Sequence, residues 1–105
     1  MSYDLETGTV LIDFWSPMCG PCRKLSPIID EIDKDYEHVN VVKANTMIES
    51  SMATEYSIRA LPTLVFLKDG EEVHREVGLV SKKDILKTGQ YVIHYLTNSI
   101  VCLFR

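Results

Sequence analysis

The chain has 105 residues with a formal net charge of −4; 46% of them are hydrophobic and 25% charged. This length suits one domain with its own hydrophobic core, so we expect a single domain over residues 1–105. The acidic balance excludes nucleic acid as a main partner, because phosphate binding needs a basic surface, and three cysteines are an odd count for a secreted disulfide framework.

The location is predicted from what the sequence lacks. No apolar run approaches the roughly 18–20 residues that a membrane helix needs. Residues 1–6 show no basic region followed by an apolar one, so no signal peptide is evident. We therefore expect a cytoplasmic protein with no membrane partner.

The first half of the chain predicts strand, helix, strand. Thr9–Trp15 is a β-branched and aromatic run, typical of a strand buried on both faces, and Asp13 interrupts it. From Pro21 onward apolar residues recur at helical spacing, with Pro27 inside the pattern. Val39–Ala44 is a second short strand.

The second half predicts a helix, a hairpin and a last helix. The second helix covers about residues 48–57. Asp69-Gly70 separates strands Thr63–Leu67 and Glu72–Val77 and is a strong signal for an antiparallel hairpin. A further helix is expected after Ser81. The order β-α-β-α-β-β-α predicts an α/β fold in three layers, with helices on both faces of a mixed sheet.

The chemistry of the chain points to Cys19-Gly20-Pro21-Cys22. A helix starting near Pro21 puts both thiols on one side of its first turns, close enough to form a disulfide. A helix N-terminus stabilises a thiolate by about 0.3–1 kcal/mol, and by up to roughly 2 kcal/mol when partly buried. Cys22 lies deeper in the helix and gains less. We expect Cys19 to be the nucleophile and Cys22 the resolving thiol.

A zinc site is the alternative for two cysteines at this spacing. Two more ligands would have to come from Cys102 and the histidines, and none of these is paired with another ligand at zinc spacing. We therefore predict no metal.

The joint pattern of motif, spacing and order resembles the thioredoxin family over about residues 9–87. The matching segments are Val10–Trp15, Cys19–Cys22, Pro27–Ile32, Val42–Asn45, Tyr56–Thr63, Lys68–Gly70 and Val77-Gly78. The resemblance implies the thioredoxin-like fold, a cycle of dithiol–disulfide exchange that reduces protein disulfides, and no bound cofactor. It also implies a flavin-dependent thioredoxin reductase that draws on NADPH as electron donor, with disulfide-containing proteins as clients, and the expected state is a monomer.

The resemblance also assigns roles to residues outside the motif. Asp13 would be the buried carboxylate that exchanges protons with Cys22, and Lys43 would face it in the core and tune it. The alternatives are a solvated or capped aspartate at a strand end and an ordinary strand-end lysine. Pro62 would be cis beside the disulfide. The residues implied to contact the client are Trp15, Met18, Ala60, Leu61, Pro62 and Gly78.

Three features depart from the family. Met18 replaces the tryptophan that usually precedes the first cysteine. The family's first strand is missing from the short N-terminal segment, so Val39–Ala44 should be an edge strand. Residues 88–105 do not resemble the family, and Cys102 there is interpreted as a buried hydrophobic residue or, alternatively, as a regulatory or dimer-forming thiol. These departures leave a binding module as the rival to the reductase, and an oxidase or isomerase as the other enzyme.

Overall fold

The computed structural model describes residues 4–78. Its elements in chain order are β1 (Thr9–Trp15), α1 (Gly20–Asp35), β2 (Val39–Asn45), α2 (Ser50–Glu55), β3 (Thr63–Lys68) and β4 (Glu71–Val77). The predicted strands are confirmed to within a residue or so at each end. The helix expected after Ser81, the segment 88–105 and Cys102 lie outside the described residues.

The four strands form one mixed sheet in the order β2-β1-β3-β4. β1 pairs in parallel with β2, and β3 pairs antiparallel with β1 and with β4. Within residues 4–78, β2 is therefore an edge strand, as predicted. The carboxyl ends of β1 and β2 and the start of β3 meet at one edge of the sheet, because Trp15 pairs with Asn45 and Phe14 with Thr63. This edge is formed by the ends of the strands and not by an outer strand.

Two apolar clusters cover the two faces of this sheet. Leu11 of β1 packs with Leu25, Ile29 and Ile32 of α1 on one face. Val10, Ile12 and Phe14 pack on the other face with Met52 of α2. Alternate residues of β1 thus point to opposite helices. The prediction of a strand buried on both faces is confirmed.

The second helix is shorter than the predicted 48–57. The backbone N–H groups of Ile48 and Glu49 both donate to the Asn45 carbonyl, at 2.9 and 2.7 Å, so these residues form a turn before the helix. At the other end Ser57 has φ +54°, a left-handed conformation that stops a helix. Local turn hydrogen bonds at both ends account for the difference.

The hairpin forms as Asp69-Gly70 predicts. Both residues have positive φ, +49° and +88°, as a two-residue turn between twisted strands requires. The turn lies at the end of the sheet opposite to the carboxyl ends of β1 and β2. Within residues 4–78 no helix has the length and apolar character to cross a membrane.

Candidate active site

The two cysteines of the motif form a disulfide at the start of α1. Their Cα atoms are 5.3 Å apart. Cys19 is the N-cap residue, with extended backbone, and its Sγ accepts the N–H of Cys22 at 3.2 Å. Pro21 occupies the first turn, where its missing N–H leaves no intrahelical bond unmade. A sulfur therefore fills the capping position that an oxygen usually takes in other helices.

A serine that the sequence analysis did not select shapes the approach to this helix. Ser16 is buried, its carbonyl accepts the N–H of Cys19 at 3.0 Å, and its Oγ accepts the N–H of Met18 at 3.1 Å. Met18 is left 83% exposed beside the disulfide. The usable signal was a serine just ahead of a helix start, where its hydroxyl commonly bonds to the backbone.

The two sulfurs differ in their access to solvent. Cys19 is partly exposed, whereas Cys22 is 3% exposed. The buried residues of α1 are Cys22, Leu25, Ile29 and Ile32, which is one helical face, so Cys22 belongs to the face that packs on the sheet. Only Cys19 can meet a large partner without rearrangement of the helix.

Asp13 lies in the same interface. It shares the α1 face of β1 with Leu11, one step closer to the end of the strand from which α1 begins. Its side chain is 1% exposed, and its Oδ1 atom has no hydrogen-bond partner among the described residues. Burial raises the pKa of Asp13 from 3.8 to about 6, with nearby Lys43 acting to lower it and Asp30 to raise it. Asp13 is not the solvated strand-end aspartate of the alternative reading.

Lys43 is the neighbour of Asp13 across the parallel pair, but its ammonium does not end in the core. Nζ donates to Ser26 Oγ at 2.9 Å and forms an ion pair with Asp30, and the side chain is 34% exposed. The long stem of lysine can cover apolar surface while the charge reaches water, which explains why the charge does not stay in the core. Neither Ser26 nor Asp30 was expected at the site, although their four-residue spacing puts them on one side of α1.

Pro62 precedes β3 at the same sheet edge as the disulfide. Its bond to Leu61 is cis, as the resemblance implied. The Pro62 carbonyl accepts the N–H of Gly78 at 2.8 Å, and the Ala60 carbonyl accepts the hydroxyl of Thr63 at 2.7 Å. Gly78 has φ +92°, which disfavours any side chain, and the space where a Cβ would lie is open.

Trp15 ends β1 between the disulfide and the loop after β2. Its carbonyl accepts both the N–H and the hydroxyl of Thr46, at 2.8 and 3.2 Å. Its indole Nε1 is buried and has no partner within residues 4–78. The tryptophan is therefore placed by its backbone and by packing. The described residues hold no group of three or more histidine, cysteine, aspartate or glutamate side chains able to bind a metal.

The comparisons with known proteins agree with this geometry. The thioredoxin family model matches residues 3–90. Thioredoxin 1 of Synechococcus elongatus and the thioredoxin of Pyropia yezoensis are each 49% identical over 80 residues, which cover 75% of this chain and 75% of theirs.

Solved structures give the same result for the fold. A thioredoxin variant from Halobacterium salinarum superposes with a TM-score of 0.76 at 30% identity, covering 88% of this chain and 77% of its own. The Fasciola hepatica thioredoxin gives 0.74 at 32% identity, covering 81% of each chain. The chain thus belongs to the thioredoxin family, and its cysteine pair makes it a dithiol–disulfide oxidoreductase that reduces protein disulfides.

Proposed function

We propose that Cys19 attacks the client disulfide, that Cys22 resolves the mixed disulfide, and that Asp13 takes the proton of Cys22. The observation that carries this assignment is the unequal burial of the two sulfurs at one helix N-terminus. Cys19 is the partly exposed cap of α1, and Cys22 is buried against the sheet.

The first step depends on a thiolate at Cys19. A free thiol with pKa near 8.5 is only a few per cent ionised at neutral pH. The helix N-terminus can stabilise a partly buried anion by up to about 2 kcal/mol, which corresponds to roughly one pKa unit or slightly more. The Cys19 sulfur then bonds to one client sulfur, the client disulfide breaks, and the other client sulfur leaves as a thiolate.

The second step returns the enzyme disulfide. Cys22 loses its proton and attacks Cys19 Sγ, so the bond to the client breaks and the second client thiol is released. Two electrons have passed from the dithiol to the client disulfide. Because Cys22 is buried, its proton needs a nearby acceptor, and the Asp13 carboxylate lies in the same strand–helix interface. A base whose pKa is about 6 is matched to a proton transfer near neutral pH.

The remaining site residues are proposed to hold the client. Met18 directly precedes Cys19, and Trp15 ends β1 at the same edge. Ala60, Leu61 and Pro62 lie in the segment that leads into β3 at that edge. Leu61 lies in the segment just before β3 at that edge, and we propose that its backbone pairs with an extended client segment. The open space at Gly78 suits the close approach of a client backbone. Gly20 and Pro21 shape the helix start that presents Cys19.

The roles proposed for the two cysteines predict different results for two serine variants. Cys19→Ser should lower reduction of insulin by dithiothreitol to the uncatalysed rate, because the attacking thiolate is lost. Cys22→Ser should instead accumulate a covalent adduct with the client, visible by intact-protein mass spectrometry. Cys102→Ser, which removes the thiol outside the motif, is the control. Wild-type activity in Cys19→Ser would refute the assignment.

The Asp13 assignment predicts a stability gain on neutralisation. A carboxyl whose pKa is about 6 when folded and 3.8 when unfolded binds more protons in the folded state, so its burial destabilises the fold above pH 6. The difference corresponds to about 3 kcal/mol at most, so Asp13→Asn should raise the free energy of unfolding by about 2–3 kcal/mol at pH 7.5. Urea unfolding should show this gain shrinking below pH 6 and vanishing below about pH 4.

The same variant separates the proton-transfer role from a structural one. Asp13→Asn should slow resolution of the mixed disulfide by Cys22 while leaving attack by Cys19 much less affected. Rapid-mixing kinetics that follow the adduct can resolve the two steps. A more stable variant with unchanged resolution at every pH would leave Asp13 without a part in the reaction.

We propose that Lys43 tunes Asp13 and that Asp30 limits this effect. The positive charge of Lys43 lowers the pKa of Asp13, and the negative charge of Asp30 raises it. Lys43→Met should therefore move the pH midpoint of the resolution step upward, and Asp30→Asn should move it downward. Midpoints that shift in the same direction in the two variants, or that do not shift, would contradict the tuning role. A loss of stability alone would not shift the two midpoints in opposite directions.

The electron donor is proposed to be a flavin-dependent thioredoxin reductase that uses NADPH. Support comes from the family alone, since relatives such as the Synechococcus elongatus protein carry the thioredoxin name. NADPH oxidation should depend on this chain when it is mixed with such a reductase and a disulfide client. No oxidation above the rate of Cys19→Ser would require another donor.

We propose a monomer in a reducing compartment, with the cytoplasm as first choice. A reductant must be reduced again in each cycle, which favours a compartment that keeps thiols reduced. One relative, from Pisum sativum, is named a chloroplastic M-type thioredoxin, so a plastid stroma is the alternative. Immunolocalisation in the source cells distinguishes the cytoplasm from the plastid. Detection of the protein in the periplasm or outside the cell would contradict both locations.

A further inference from the structure

Within residues 4–78, four large apolar side chains are exposed at the sheet edge that carries the disulfide. One of them, Val77, is 56% exposed and ends β4, on the far side of Pro62. The other three follow β1 or β2. Met18, Met47 and Ile48 are 83%, 64% and 77% exposed. Single exposed hydrophobic residues are common on protein surfaces and need no explanation. Met47 and Ile48 differ from such residues because they are adjacent in one hydrogen-bonded loop, near the segment that leads to Cys19. Met18 was selected from the sequence; Met47 and Ile48 were not.

The loop that carries Met47 and Ile48 is held by its backbone. Asn45 accepts the N–H of Ile48 with its carbonyl at 2.9 Å and the N–H of Met47 with its side-chain oxygen at 3.0 Å. The backbone bonds leave the two side chains in solvent. The backbone of the loop is therefore fixed, so a partner would not have to order it on binding.

The same loop is tied to the segment that leads to Cys19. Both hydrogen bonds of Thr46 end on the Trp15 carbonyl, and Trp15 pairs with Asn45 across the two parallel strands. Met18 and Cys19 come three and four residues after Trp15, and Met47 and Ile48 follow Thr46 directly. The two apolar segments thus leave neighbouring strands at one edge of the sheet, on the side away from Pro62.

We propose that Met47 and Ile48 extend the client-binding surface and select clients that carry apolar residues next to the disulfide. This inference rests on the proposed function, because the occupant is the polypeptide that Cys19 attacks. Continuity with Cys19 favours a client over any other partner: a client disulfide that reaches this sulfur brings its flanking residues to this edge. Met18, which directly precedes Cys19, is then the third apolar residue of this surface.

Two synthetic peptides with the same disulfide-closed core test the proposal. One carries leucine and phenylalanine on both flanks, and the other carries serine and glutamine. The reduced protein should react faster with the apolar peptide, and the double variant Met47→Gln/Ile48→Thr should lose about tenfold in that rate constant, the factor expected when partly buried apolar contacts are removed. The rate with the polar peptide should change less than twofold.

Val73→Gln is the matched control. Val73 is also an exposed apolar residue, at 44%, but it lies in β4 close to the hairpin turn at the other end of the sheet. Its substitution should leave both peptide rates unchanged. Equal losses in the two variants, or equal losses of the double variant with both peptides, would overturn the proposal.

Two further measurements identify other occupants of the surface. If the double variant instead loses its reaction with thioredoxin reductase, or if sedimentation shows that the wild type dimerises through these residues, the client assignment is wrong. The reaction of each variant with 2-hydroxyethyl disulfide, which has no flanking residues, monitors the chemistry itself. A wild type inert toward this reagent would refute the proposed function as well.

Discussion

The buried carboxylate of Asp13 is the constraint on which the rest of the site depends. It lies between β1 and α1, and its Oδ1 has no hydrogen-bond partner within residues 4–78. Four of the six other residues of β1 are buried and hydrophobic. Such burial normally costs stability unless the charge is paired or neutralised. A fold that retains this cost keeps a carboxylate in the interface where Cys22 is also buried, and we propose that it serves there as the base. The destabilising residue and the reacting thiol are thereby placed by the same packing of one helix on one strand.

The first turn of α1, which carries both cysteines, is the second feature on which the site depends. Because α1 begins directly after the turn that Ser16 fixes, its first turn lies over the end of β1, with Cys19 as the cap and Cys22 on the packed face. The partial charge of the helix N-terminus acts most strongly on the outer sulfur, and burial acts on the inner one. Their positions alone therefore give the two cysteines different reactivity. Lys43, held by Ser26 and Asp30, acts on Asp13 from the neighbouring strand.

The sequence predicted the framework well where the signals were local. Thr9–Trp15, the Asp69-Gly70 hairpin and the helix after Cys19 each carry a pattern that only one element satisfies, and the structure confirms them. The cis bond at Pro62 came from the family resemblance, because the sequence itself favours the trans form. The position of the Lys43 ammonium, the roles of Ser26 and Asp30, and the exposure of Met47 and Ile48 depend on contacts between distant segments. No periodicity within one segment reports those contacts.

Burial should set the proton state of Asp13 and link it to the redox state of the cysteine pair. Carbon-13 NMR of the Asp13 carboxyl, titrated in the disulfide and in the dithiol form, measures this directly. We expect a midpoint near pH 6 in the disulfide form and a different midpoint once Cys22 carries a titratable thiol. A midpoint near the usual value of 3.8 that does not change on reduction would contradict it.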